Sequence, residues 1–311
     1  MKNVLRFFLM IVFAIAPCFV FPSIQSAFAE TYSPPQNSKS ELAWLSGQKI
    51  DADWQAYKAK FAECDTHNTF GGKDVGKYGC FTDANGNHKF DPDETNDTNR
   101  LKYLFPIPHS QSAVLYQSKM SLDLDGGYQA CVLKAGGTNQ CATSMGYESG
   151  LRTQYEKDIK AFGSLKKIPD AKLKIYFEKL FVQSDTVPYV VLPSSDNGEF
   201  SGATKVKTGD LGVVIFDNQV VPVLVADRGP YFRIGEASLR VFESLNSSRC
   251  RQWTSEDKTY CSRTRNSSIS DGVTTILFPG SAFQAGILNP DNIVKTVSKK
   301  ALQLYGALKG K

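Results

Sequence analysis

Apolar residues fall into short compact runs through the middle of the chain and into helically spaced sets nearer its ends. The clearest stretch is GDLGVVIFDNQVVPVLVADRGPYFRIGEASLRVFESL, residues 209–245. Within it Leu211 to Phe216 predicts a strand, Asp217-Asn218 a tight turn, and Val220 to Ala226 a second strand ending on Asp227. A Gly-Pro loop follows, then a short amphipathic helix predicted to begin at Glu236. Further strands are predicted at Leu101–Phe105, Ala113–Leu124, Tyr128–Leu133, Thr186–Pro193 and Val273–Phe278. The turn Asp123-Leu124-Asp125-Gly126-Gly127 makes a hairpin of residues 113–133, and acids two apart on a strand share one face. Helical spacing marks the segment after Ser40, Ile50–Cys64, Ser149–Phe162 and Asn292–Leu308, while Lys172–Phe181 fits either period. Many short strands, few long helices and no Rossmann-type alternation predict a mainly β, α+β protein with a barrel-like core.

Composition changes the picture at the start of the chain. Lys2 and Arg6 precede an apolar run from Phe7 to Val20, and Ala27-Phe28-Ala29 resembles a cleavage site, so residues 1–29 read as a signal peptide. The product would be secreted or periplasmic. The net charge of +5 falls to +3 without those two cations, too little to predict nucleic-acid binding. Residues 30–40 are polar and Pro-containing, and are expected to be mobile. Six cysteines remain in the exported portion, and the local pairs 64–80, 131–141 and 250–261 are the expected disulfides.

Between residues 65 and 99 the composition turns to Gly, Asn, Asp and Thr, a loop signal. DANGNHKFDPDE lies within it and follows the twelve-residue calcium loop at Asp83, Asn85, Asn87, Asp91 and Glu94. His88 stands where that loop needs Gly, and no paired helices flank it. A structural calcium ion and a plain Asn/Gly-rich turn are both compatible with the segment.

Three histidines, paired thiols and the absence of serine-hydrolase, zincin or P-loop motifs leave carboxylates as the candidate chemistry. Asp227 follows an apolar ribbon that should desolvate it and raise its pKa, as a general acid requires. Glu236, at a predicted helix start, would be held ionised by the macrodipole, as a base requires. On spacing alone, turn formation and helix capping explain the same two residues more simply.

The segment VADRGPYFRIGEASL resembles the signature of the family 75 glycoside hydrolases, the chitosanases. In that family an Asp and a Glu nine residues apart are the essential carboxylates, and they match Asp227 and Glu236. SLDLDGG resembles the family's D-x-D-x-D-G hairpin through Asp123, Asp125 and Gly126, with Ser121 in place of the first Asp. VPYVVLP, GDLGVVI and LFPGS also fit in order, so the resemblance covers about residues 100–285. The Cys250/Cys261 insertion and the 65–99 loop depart from it.

The resemblance implies a small β-barrel core of the double-psi kind and a catalytic domain over residues 61–311, preceded by an N-terminal extension at 30–60. It implies endo-hydrolysis of β-1,4-linked glucosamine polymers with inversion and no cofactor in the chemistry. A polycationic substrate calls for acidic subsites, for which Asp123 and Asp125 are candidates, with Tyr231 and Arg233 as further contacts. Asp196 and Glu199 are weaker candidates, better explained by turns. The partner would be the polysaccharide itself, with no nucleic acid or membrane involved and a monomeric enzyme. A hydrolase of cell-wall amino sugars and a non-catalytic glycan-binding protein on the same fold remain the alternatives.

Overall fold

The computed structural model describes residues 29–67, 69–70, 73–74, 99–108, 113–128, 143–147, 150–193, 199–229, 233–254, 256, 259–265 and 268–310. The leader before residue 29, the calcium-like loop at 83–94, and the side chains of Cys64, Cys80, Cys131 and Cys141 lie outside them.

Thirteen described strands are β1 (Glu30–Thr31), β2 (Lys49–Ile50), β3 (Thr69–Phe70), β4 (Lys73–Asp74), β5 (Tyr103–Pro106), β6 (Val114–Asp123), β7 (Tyr189–Pro193), β8 (Leu211–Phe216), β9 (Gln219–Gly229), β10 (Glu236–Ser238), β11 (Cys250–Trp253), β12 (Cys261–Thr264) and β13 (Ile269–Phe278). The described helices are α1 (Lys39–Leu42), α2 (Ala52–His67), α3 (Leu151–Phe162), α4 (Asp170–Leu180), α5 (Glu199–Thr204), α6 (Leu239–Ser244) and α7 (Ile293–Lys309). None of the described helices is long and apolar enough to cross a membrane.

Six strands close on themselves in the order β10-β7-β9-β8-β13-β6, because β10 pairs with both β7 and β6. The fold is therefore mixed α/β with a closed six-stranded barrel at its centre, and β5 extends the wall beside β6. The β6–β10 and β7–β9 pairings are parallel and the others antiparallel. The β8–β9 hairpin turns on Asp217 and Asn218, both with positive φ (52° and 57°), a turn conformation that Asp and Asn tolerate.

Alternation along the strands separates two apolar clusters on opposite faces of the barrel wall. Tyr189, Val191, Leu211, Val213, Leu224 and Ala226 share one with Ile293, Val297, Ala301 and Tyr305 of α7. Val190, Leu192, Val214, Val223 and Val225 share the other with Val241 and Phe242 of α6. Burying these apolar faces is the main stabilising term.

Some sequence expectations change. Residues 30–40 are docked: β1 pairs with β2, and Tyr32 is buried against Tyr103 and Phe105. Apolar burial of one tyrosine outweighs the polar composition around it. Lys172–Phe181 resolves as helix α4, whose Leu173, Tyr176, Phe177 and Leu180 face one small cluster with Tyr155 of α3. Tyr128 is helical instead of opening a strand, and residues 129–142 lie outside the description.

Candidate active site

Asp227 does not end its strand; β9 runs two residues further, to Gly229. Along β9, Val221, Val223 and Val225 point to the cluster around α6, so simple alternation would send residue 227 the same way. The β7–β9 register shifts by one residue after Val190↔Val225, so that Asp227 pairs with Val191 and Ala226 is the extra residue. This bulge turns Asp227 onto the Val191 face.

Glu236 also pairs with Val191, from the opposite side, because β10 runs along the other edge of β7. The two acids thus flank one residue on one face of the wall. Two strand spacings separate their Cα atoms by roughly 10 Å. The expected helix at Glu236 is replaced by strand β10, with α6 starting three residues later at Leu239 behind the Ser238 N-cap. The helix-dipole explanation for Glu236 therefore falls. Its charge is matched instead by Arg233, whose Nε lies 2.9 Å from Oε1, with both side chains largely buried. That contact is an ion pair by distance; the Nε–H is not aligned on the oxygen as a hydrogen bond. Gly229 makes room for the carboxylate: a Cβ there would sit 2.5 Å from Glu236 Oε2 and 3.2 Å from Val191 Cγ1.

Asp227 is 4 % exposed. Its Oδ1 accepts hydrogen bonds from the Ser144 N–H (2.8 Å), the Ser144 hydroxyl (2.6 Å) and the Arg228 N–H (2.8 Å). Burial pushes the Asp227 carboxyl upward, and these donors counter only part of that shift. Ser144 is held over the barrel by the Met145 N–H, which donates to the Ala226 carbonyl at the bulge.

Asp123 ends β6, and Asp125 follows in the turn, where its N–H donates to Asp123 Oδ1 at 2.9 Å. The Tyr189 hydroxyl donates to Asp123 Oδ2 (3.2 Å) and the Asp125 carbonyl (2.9 Å). Tyr189 is therefore a core residue with a polar tip in the site. Gly126 adopts φ 73°, and a Cβ there would overlap the Val182 carbonyl, so the turn admits only glycine. Ser184 bridges this turn to the start of α6 by donating to the Asp123 carbonyl and accepting from the Leu239 N–H.

Oxygens of Asp123, Asp125 and Asp227 come within 4.8 Å of one another. Carboxyl groups this close either grip a cation or share protons. Burial first, then the neighbouring negative charges, push Asp123 and Asp125 well above the ordinary carboxyl range.

The fold thus brings together Asp227, Glu236, Asp123, Asp125 and Arg233. Arg233 serves Glu236 and is buried, unlike an open subsite contact. Tyr231 and Asp196 lie outside the described residues. Glu199 opens α5 at the surface and faces Lys60 at 3.9 Å, apart from the cluster. Sequence reasoning missed Ser144, because nothing in CATSMGY marks it before the fold places it on Asp227.

No protein-family model matches this chain, and no curated protein matches it.

Further along, β11 and β12 form a hairpin closed by the Cys250–Cys261 disulfide. It is tied to the site's support through the Cys261 N–H, which donates to Asp185 Oδ1 (3.0 Å). Arg240 Nε donates to the Asp185 carbonyl at 2.7 Å, and its guanidinium lies 5.8 Å from the Trp253 ring.

Proposed function

We propose that this protein is a glycoside hydrolase acting on an amino-sugar polymer by a two-carboxylate, inverting mechanism. The observation that carries the proposal is the placement of Asp227 and Glu236 on either side of Val191, on one face and in opposite electrostatic surroundings. Asp227 is buried among acids, which favours its protonated form and suits it to be the general acid. Glu236 faces the Arg233 guanidinium, which favours the carboxylate and suits it to be the base. Side chains whose Cα atoms lie roughly 10 Å apart fit the ~6.5–9.5 Å carboxyl separation that leaves room for water in inverting enzymes better than the ~5–5.5 Å of retaining ones.

In this mechanism Asp227 protonates the bridging oxygen as the glycosidic bond breaks. Glu236 removes a proton from the water that attacks the anomeric carbon. The resemblance to family 75 chitosanases, which rests on short motifs kept in order, points to chitosan as the polymer. An exported enzyme would meet such polymers outside the cell, in keeping with the signal-like leader.

The direct test is a reducing-end assay of the mature protein on soluble chitosan, chitin, a cellulose derivative and peptidoglycan, with the product anomer read by proton NMR. Turnover of chitosan with an inverted anomer is the expected outcome. Preference for peptidoglycan would replace the substrate, retention would replace the mechanism, and binding without turnover on every polymer would contradict the enzyme reading.

A further inference from the structure

Three of the four carboxyl groups at the site have donors or a cation of their own. Asp123 accepts from the Asp125 N–H and the Tyr189 hydroxyl, Asp227 from Ser144 and Arg228, and Glu236 faces Arg233. The Asp125 carboxyl receives no hydrogen bond from any donor among the described residues. Its Oδ1 is fully covered and has no partner, although the residue as a whole is only half-buried.

The charged and titratable groups around Asp125 come from every neighbouring element. Asp123 lies on its own turn, Asp227 and Arg228 on β9, Glu236 on β10 and Tyr189 on β7. Among the described residues, Arg228 Nε reaches Thr208 at 3.2 Å and Arg233 Nε lies 2.9 Å from Glu236. A charged Asp125 would thus lose hydration and sit beside like charges with no donor to replace water. A protonated carboxyl removes that cost and becomes a donor. The carboxyl oxygens within 4.8 Å of its own belong to Asp123, whose oxygens already accept from the Asp125 N–H and Tyr189, and to Asp227. Asp227 has one oxygen already filled by three donors, so the other is the one left for Asp125.

We propose that Asp125 is a positioning residue that stays protonated and donates a hydrogen bond to Asp227, stabilising the carboxylate that forms when Asp227 gives its proton to the leaving group. This role differs from that of an ammonium-binding subsite, and its catalytic half rests on the glycoside-hydrolase reading. The proton balance is simple. The Asp227 proton goes to the bridging oxygen as the carbon–oxygen bond breaks, water adds to the anomeric carbon, and Glu236 takes a proton from that water. Asp227 is left as a carboxylate held by Asp125, Ser144 and Arg228, while Asp125 neither gains nor loses a proton. Glu236 then releases its proton to solvent and Asp227 takes one up.

The test pairs Asp125→Asn, which keeps a neutral donor of the same shape, with Asp125→Ala, which has none. Infrared spectra of the whole protein at neutral pH should show neutral-carboxyl absorption that falls by one group in Asp125→Asn. This readout needs no substrate and no activity. On chitosan, Asp125→Ala should lower kcat by about 10- to 100-fold, the worth of one hydrogen bond to a charged group. KM should change little, and the alkaline limb of the pH profile should move upward, because the Asp227 carboxylate loses a donor. Asp125→Asn should show a much smaller loss and leave that limb near its original place. An unchanged infrared band in Asp125→Asn overturns the proposal. So does an equal rise in KM for both variants with kcat and pH profile unmoved, which would make Asp125 an ionised contact for the sugar ammonium. If the band is lost but the wild-type protein hydrolyses none of the polymers, the proton assignment stands and the glycosidase reading fails.

Discussion

Single atoms at Asp227 and Glu236 decide what the site can do. Ser144 supplies two of the three donors on Asp227 Oδ1, so removing its hydroxyl should leave the acid harder to ionise. Ser144→Ala is expected to lower kcat by about tenfold, in line with one lost hydrogen bond to a charged group, with little change in melting temperature. A pH–rate profile checks the cause, since the alkaline limb should rise. Gly229 tests the other acid. Gly229→Ala places a methyl 2.5 Å from Glu236 Oε2 and must push that carboxylate off its Arg233 partner. Activity should fall by an order of magnitude or more while the fold survives, because the group that gives way is the end of a flexible side chain. Circular dichroism alongside the reducing-end assay separates these effects. At this scale the sequence singled out both acids, and the fold brings them to one face of the wall, but the sequence did not foresee Arg233 as the partner of Glu236. Three residues of strand precede α6, and a sequence pattern as short as EASLRVF does not separate a strand from a helix cap.

The decisive element is β9. Its alternation is legible from residue 220 onward, yet the bulge at Ala226 that turns Asp227 to the Val191 face is a pairing event between β7 and β9. No property of β9 alone encodes it. The β8–β9 hairpin was legible because Asp217-Asn218 suits left-handed backbone, a local preference. The same holds for helix α7, whose start at Ile293 behind Asn292 follows ordinary stop and start signals. The β11–β12 hairpin was legible only as a polar insertion with two cysteines. Its disulfide closes a short loop, with a sequence separation of 11. Replacing both cysteines by serine should cost about 2–3 kcal/mol in the chain-entropy treatment. Chemical denaturation of the double variant reads this directly. Serine keeps the backbone N–H that residue 261 donates to Asp185, so activity should fall only modestly, through a less firmly held hairpin beside the segment that supports Ser184 and the acidic turn.

For the whole molecule the acidic cluster has a stability consequence. Asp123, Asp125 and Asp227 bind protons more tightly folded than unfolded, because burial raises each above the ordinary value of 3.8. Their contribution is complete below that value and is lost as pH rises through the folded values. Asp185, pushed up to about 6 by burial, acts in the same direction between those two values. Asp158 is pulled down to about 2 by Lys172 and Tyr176, and works in the opposite sense only below pH 4. The melting temperature should therefore fall from pH 5 to pH 9, and the slope should flatten in Asp125→Asn. A melting temperature rising over that range would contradict the buried-acid picture. The barrel class was foreseeable from many short strands without alternating helices. Which strand closes the barrel was not, because a three-residue strand, β10, read from the sequence as a helix start, completes the ring by pairing on both edges. The docking of Tyr32 was hidden for the same reason: one buried ring decides the place of a segment whose composition is polar.

The central claim is that Asp227 and Glu236 act as the acid and base of one hydrolytic site. It is tested most directly by Asp227→Asn and Glu236→Gln, assayed for reducing-end release from soluble chitosan with melting temperatures measured on the same samples. Each variant should lose at least about a thousandfold of the wild-type rate while remaining folded. Wild-type turnover in either folded variant would contradict the account.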